Sequence, residues 1–438
     1  GFTSTDVGSL TTGAVSALST GALSALSSAQ LAGLGTKIAA VVTANVSVLT
    51  SAALAGLTSA EASALTTAQV TALTSSQLGA LTSAAASGLT SSQVTVLSSA
   101  QLTGLSTAGV TGLGTTITAI GAAALAGLTS AQFAVLTTAQ AAALTSVQAG
   151  ALSGAQAKGF TSTDVGSLTT GAVSALSAGA ASALSSAQLA GLGTKIASLV
   201  TANVSVLTSA ALAGLTSAEA GALTTAQVAT LSSSQLGALT SAAVAGLGTG
   251  NITALATASI SGLTSSAMSG LNSAEVSVLT TGELTALSAG QVAGLTSAAT
   301  SGLASAQVAA LSSDGLKGLG SAQVTAIGTA VLGLLPAQFT FLSTGAIAAL
   351  TTATVTGLTT ADLTSLSVSQ LQAFTTMEMS NLTSNEIQAL TSSQVPALTT
   401  LEITGLSSLQ MGYFTGTQAG EFTATQLNDM TNAQRDAL

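Results

Sequence analysis

Cysteine, histidine and tryptophan are absent from this chain of 438 residues, tyrosine occurs once, and proline only at Pro336 and Pro396. Without His or Cys there is no usual zinc, copper or haem ligand set, no Ser-His-Asp or Cys-His nucleophile pair, and no disulfide. The absence of thiols does not by itself fix the compartment. Charged residues make up only 4%. Five cations (Lys37, Lys158, Lys195, Lys317, Arg435) face fourteen acids, for a net charge of −9. Nucleic-acid binding needs several Lys or Arg on one face, and five across the whole chain do not supply it. An anionic membrane surface is disfavoured for the same reason. Although 47% of residues are hydrophobic, Thr or Ser interrupts nearly every octad and the apolar runs, such as residues 38–42, are short. A spanning helix needs about 20 apolar residues, so no transmembrane segment is expected. The first residue is Gly1 and no signal peptide is visible, which suggests processing or a segment of something longer.

What is present is one repeat. From Phe2 a large apolar residue recurs at Leu10, Leu18, Leu26 and Leu34 and onward to Leu438, in 55 units, 51 of eight residues and four of seven. A well-formed unit reads Leu-Thr-Ser-Ala-Gln-Val-Ala-Ala. With the recurring Leu as position one, position two is mostly Thr or Ser, and position five is often Gln or an acid. Ten of the fourteen acids stand at position five: Asp6, Glu61, Asp164, Glu219, Glu275, Glu283, Asp362, Glu378, Glu386 and Glu402. Thr followed three residues later by Gln or Glu is a capping box, in which each side chain satisfies a backbone N–H of the first helical turn. Positions one and six then form a hydrophobic staple. The pattern predicts an all-α solenoid of short capped helices, one per octad. The alternative is a β-solenoid, since Thr and Val favour strands, but positions one and six have opposite parity. Pro336 falls at the first helical position, where Pro is favoured; Pro396 falls late in its unit and should distort or end it.

The four seven-residue units begin Leu34-Gly35-Thr36-Lys37-Ile38, Leu113-Gly114-Thr115-Thr116-Ile117, Leu192-Gly193-Thr194-Lys195-Ile196 and Ile327-Gly328-Thr329-Ala330-Val331. After the first three, Val42, Gly121 and Val200 replace the Thr or Ser cap, and Val41, Val42, Val46 and Leu49 keep helical spacing. Longer helices of about three turns are therefore expected over 36–48, 115–127 and 194–206; the fourth case stops at Pro336. The first three Gly-Thr units start 79 residues apart, and residues 1–158 are duplicated as 159–316. The chain is expected to form a single continuous solenoid over 1–438.

A lone octad does not fold. Ordering eight residues costs on the order of 12 kcal/mol, whereas burying a Leu and a Val returns about 1.5–3 kcal/mol each. Neighbouring units must share buried faces. At 8–10 Å between packed helices, two units per superhelical turn predict a length of roughly 250 Å and three about 170 Å. No clear capping repeat closes either end, and open ends favour head-to-tail assembly.

Octads such as Leu65-Thr66-Thr67-Ala68-Gln69-Val70 and Leu303-Ala304-Ser305-Ala306-Gln307-Val308 resemble low-complexity repeats of very large proteobacterial surface and secreted proteins, often labelled adhesion or haem-utilisation proteins. The resemblance implies a structural or adhesive extracellular role at the cell surface. The haem label finds no axial ligand beyond five Met and Tyr413.

The acids read as helix caps rather than metal ligands; Glu275 and Glu283, in adjacent units, are placed to approach across a layer, where two carboxylates make at best a weak cation site. No phosphate-binding Gly-x-x-x-x-Gly-Lys-Ser/Thr loop occurs. Lys37 and Lys195 match through duplication. Phe374, Phe414 and Phe422 are anchors and so core, while Tyr413 is free for a contact. The expectation is a non-enzymatic structural fibre subunit or adhesin stalk that self-assembles, with no catalytic, cofactor or metal residues and itself as partner. The alternative is a surface-binding module, adhesive or ice-binding.

Overall fold

The computed structural model describes residues 2–438. Among these residues there is no strand, and nearly every unit carries one helix, most of four to six residues. The β-solenoid alternative falls, and the all-α repeat architecture stands.

The octad Leu65–Ala72 shows how the sequence folds locally. Leu65 leaves the preceding helix in an extended conformation (φ −55°, ψ 138°). Thr66 stays extended (φ −73°, ψ 156°) and caps the helix Thr67–Ala72. Its hydroxyl accepts the Gln69 N–H at 3.1 Å, and Gln69 Oε1 accepts the Thr66 N–H at 2.8 Å. Two successive extended residues turn the chain between one short helix and the next. Leu65 and Val70, at positions one and six, are both buried.

Contacts gather the chain into two compact units, Gly1–Leu223 and Thr224–Leu438. In the first, helix Ser59–Ala64 packs on Ser83–Ser87, which packs on Thr107–Gly112. In the second, Ser265–Met268 packs on Ala289–Gly294, which packs on Ser313–Lys317. Each helix thus meets the one three units on, so three octads close one turn of coil. Small residues at position eight make the stacking possible. A Cβ on Gly104 would lie 2.4 Å from the Ser75 carbonyl oxygen, and the same octad position carries Gly or Ala in most units.

The seven-residue units depart from the expectation of long helices over 36–48, 115–127 and 194–206. The chain instead forms 3₁₀ helices at Gly35–Ala40, Gly114–Ala119 and Gly193–Ser198. Each ends at an extended anchor, Val41 (ψ 130°), Ile120 (ψ 122°) or Leu199 (ψ 136°). A separate short helix follows: Thr43–Val48, Ala122–Leu125 or Thr201–Ser205. Two physical reasons apply. A continuous helix would carry the anchor past the corner, whereas all three anchors are buried where they stand. And a 3₁₀ helix rises about 2.0 Å per residue against 1.5 Å for an α-helix, so a unit one residue short still spans its side of the coil. The fourth short unit forms the 3₁₀ helix Gly328–Gly333, and Pro336 opens the next helix at its first position. Pro396 behaves as expected of a late proline: its unit has only the 3₁₀ turn Val395–Ala397.

The same short units contain a turned peptide. Leu34 is helical (ψ −26°) where Leu65 is extended, and Gly35 has φ +55° where Thr66 has −73°. Together these changes turn over the peptide between positions one and two. Only glycine adopts such angles readily. The only other residues with positive φ among those described are Gly114, Gly193, Gly328 and Gly248. Gly248 lies in a full octad, where it kinks the helix Ser241–Ile252; its signal in the sequence was the tripeptide Leu247-Gly248-Thr249, shared with three of the short units.

Candidate functional site

The most elaborated polar arrangement is a slot between successive coil turns, filled by the side chain at position five. Gln93 is representative. Its Oε1 accepts the Thr90 N–H at 2.6 Å. Its Nε2 reaches the turn before and donates to the carbonyls of Ala62 (2.9 Å) and Leu65 (2.6 Å). Gln101 does the same to Val70 and Leu73, Gln291 to Ile260 and Leu263, and Gln410 to Met379 and Leu382. The partners lie 31 and 28 residues back, at position six and at the anchor. Where a seven-residue unit intervenes, the spacing contracts to 30 and 27, as for Gln132 on Leu102 and Leu105. Sequence reasoning assigned Gln the capping half of this role and missed the inter-turn half, which rests on contacts across three units. The extended anchor is what needs it: its carbonyl points out of the helix, and a buried carbonyl without a donor is costly. Ala304, Gly320 and Leu335 have no cap hydroxyl, yet Gln307, Gln323 and Gln338 still accept their N–H groups and donate across the turn.

Lys37 and Lys195 fill the slot in two short units that lack Gln. The Lys37 ammonium donates to the Gly8 carbonyl and, at 2.8 Å, to that of Leu10; Lys195 donates to Gly166 and, at 2.9 Å, to Leu168. Deleting one residue between anchor and position six puts Lys where Gln would stand. Asn203 supplies an amide to Leu176 at 2.6 Å. The carbonyl slot therefore takes amide and ammonium donors alike.

The acids cap as expected. Thr161 N–H and hydroxyl donate to Asp164, those of Thr280 to Glu283, and those of Thr399 to Glu402. At Asp6, which is exposed, the Thr3 N–H and hydroxyl hold the carboxyl below its ordinary range. Glu275 and Glu283 each cap their own helix, through Asn272 and Thr280, and among the described residues no group of three or more potential ligands could hold a metal ion. The second oxygen of Glu275 meets something different from a carbonyl. It accepts the Gly248 N–H at 3.1 Å, because the turned peptide presents its N–H to the slot. Glu61 and Glu219 occupy the same register relative to the turned peptides at Gly35 and Gly193.

Phe374, Phe414 and Phe422 are buried, and the rings of Phe414 and Phe422 meet edge-on at 5.0 Å. Tyr413 is half-buried in an open cleft lined by Ser408, Leu409, Gly412, Ala433 and Asp436. In the first coil turn a hollow of about 340 Å³ is lined by Phe2, Val7, Leu10, Leu18, Leu26 and Gln30; it is apolar apart from the amide. No helix is long and apolar enough to cross a membrane among the described residues. No protein-family model and no curated protein matches the chain.

Proposed function

We propose that this chain is a structural element of an extracellular fibre or cell-surface stalk, without enzymatic activity, that associates with copies of itself, in keeping with its resemblance to adhesin-like repeats. The observation that carries this reading is the inter-turn slot. Each turn supplies the donors that the previous turn's anchor carbonyls require, so the repeat is built to be extended by more of itself. Duplication supports it. Phe160, Leu168, Leu176 and Leu184 are buried, while their counterparts Phe2, Leu10, Leu18 and Leu26 remain exposed or half-buried around the hollow of the first turn. Where a turn of the repeat precedes them, as at residues 160–184, the same positions are covered. Against an ice-binding array, the position-two hydroxyls are engaged as caps, as at Thr66, Thr74, Thr82 and Thr90.

Light scattering and electron microscopy of the purified chain test the proposal. Concentration-dependent filaments or bundles, reduced by Leu18→Glu in the hollow, are the expected result. A monodisperse monomer at all concentrations would reject self-association.

A further inference from the structure

Glu378 and Glu402 occupy position five opposite peptides in the ordinary orientation. The residues after their facing anchors, Thr351 and Thr375, have φ −76° and −79°, so no N–H is turned toward them as Gly248 is toward Glu275. By the register that Gln394 and Gln410 follow on either side, the groups facing Glu378 are the carbonyls of Ile347 and Leu350, and those facing Glu402 are the carbonyls of Leu371 and Phe374. One carboxyl oxygen of each is already used: the Thr375 N–H donates to Glu378 at 2.5 Å and the Thr399 N–H to Glu402 at 2.6 Å. The other oxygen, Oε1, is fully shielded and has no hydrogen-bond partner in either residue. Glu378 is 3% exposed and Glu402 0%. An ionised carboxylate there sets acceptor against acceptor in a site that at Gln394 and Gln410, on either side, holds an amide donor.

No cation relieves this. The helix Thr376–Ser380 packs on Thr352–Val355, which has no charged residue, and on Thr400–Gly405, which brings Glu402. Helix Thr400–Gly405 also packs on Ala424–Asp429, whose Asp429 accepts the Thr400 hydroxyl. Glu386 lies on the intervening unit, Glu421 just before Ala424–Asp429, and no Lys or Arg occurs between Lys317 and Arg435.

We propose that Glu378 and Glu402 bind a proton in the folded chain, and that each carboxyl O–H then donates to the carbonyl slot as the Gln amide does, making this part of the coil an acid-stabilised, pH-sensitive segment. Burial pushes both carboxyls above their ordinary range, against the lowering effect of the Thr375 and Thr399 donors. The folded state then holds more protons than the unfolded one. The contribution is complete below the unfolded value near 4.5 and is lost as pH rises through the elevated folded value.

The test compares the full chain with the E378Q/E402Q double variant by hydrogen exchange of the 374–406 segment from pH 4 to pH 8, expressed as protection relative to unstructured peptide. Gln is the residue the repeat uses in this slot, so the variant keeps the fold. The two proteins should be alike near pH 4. At pH 8 the variant should be better protected, by about tenfold for each pKa unit of elevation per site. A protonated-carboxyl infrared band should persist in the parent at pH values where the variant no longer shows one. An equal difference at both pH values, or no such band, would overturn the proposal. So would protection of the parent at pH 8 that rises specifically with sodium or potassium, since a metal ion would then occupy the slot.

Discussion

Glu275 and Glu402 occupy the same octad position, cap their helices in the same way and are equally buried, yet they face opposite partners. Glu275 receives the N–H of a turned peptide at Gly248; Glu402 faces a peptide in the ordinary orientation. The difference lies in the residue after the facing anchor, glycine in one case and threonine in the other. The facing peptide thus decides whether the second oxygen of a position-five carboxylate meets a donor one turn back. The same change, Glu to Gln, should stabilise one place and destabilise the other.

A large effect is expected from removing the turned peptide. Gly248→Ala places its Cβ in open space, so its cost is conformational, about 1–3 kcal/mol; if the peptide also swings back, Glu275 loses its donor. Glu275→Gln alone should cost about 1–2 kcal/mol. If Ala restores the ordinary orientation, the double variant, measured by urea unfolding, should be less destabilised than the sum of the singles. Strict additivity would show that the peptide stays turned.

An ordinary slot is broken by Gln93→Leu, which strands the Thr90 N–H and the Leu65 carbonyl at a buried site and leaves the Ala62 carbonyl only the Leu65 N–H. The expected loss is about 2–3 kcal/mol, with faster exchange at Thr90 and its neighbours. A smaller change is expected from Lys195→Met, about 1–2 kcal/mol, since its charge-assisted donors serve a half-buried pair of carbonyls. Lys158→Met, on an exposed position, is the control and should stay within about 0.5 kcal/mol.

The octad, its caps and its buried anchors were legible in the residues because they depend on neighbours within one unit. Thr66 and Gln69 announce their own hydrogen bonds; Pro336 announces a helix start. What escaped depends on residues about 28 apart. Nothing local to Gln93 says that Leu65 needs its amide, and Lys37 looked like a relic of copying until its ammonium was placed on Leu10. The long helix expected over 36–48 failed because Val41 and Val42 were read as one apolar face. Val41 is an anchor 3% exposed, and Val42 is 46% exposed at an uncapped corner. The turned glycine at Gly248 was visible as Leu-Gly-Thr, but its meaning required Glu275, three units later.

Three units to a turn also bear on how the chain was copied. Within residues 2–223, the Gly-Thr units beginning at Leu34, Leu113 and Leu192 are each ten units apart, one more than three whole turns. Successive copies of the 79-residue block are therefore displaced by a third of a revolution, and the three short units visit each side once. Lengthening the gene in this increment spreads its irregularities evenly around the circumference. Only every third copy returns to the same side.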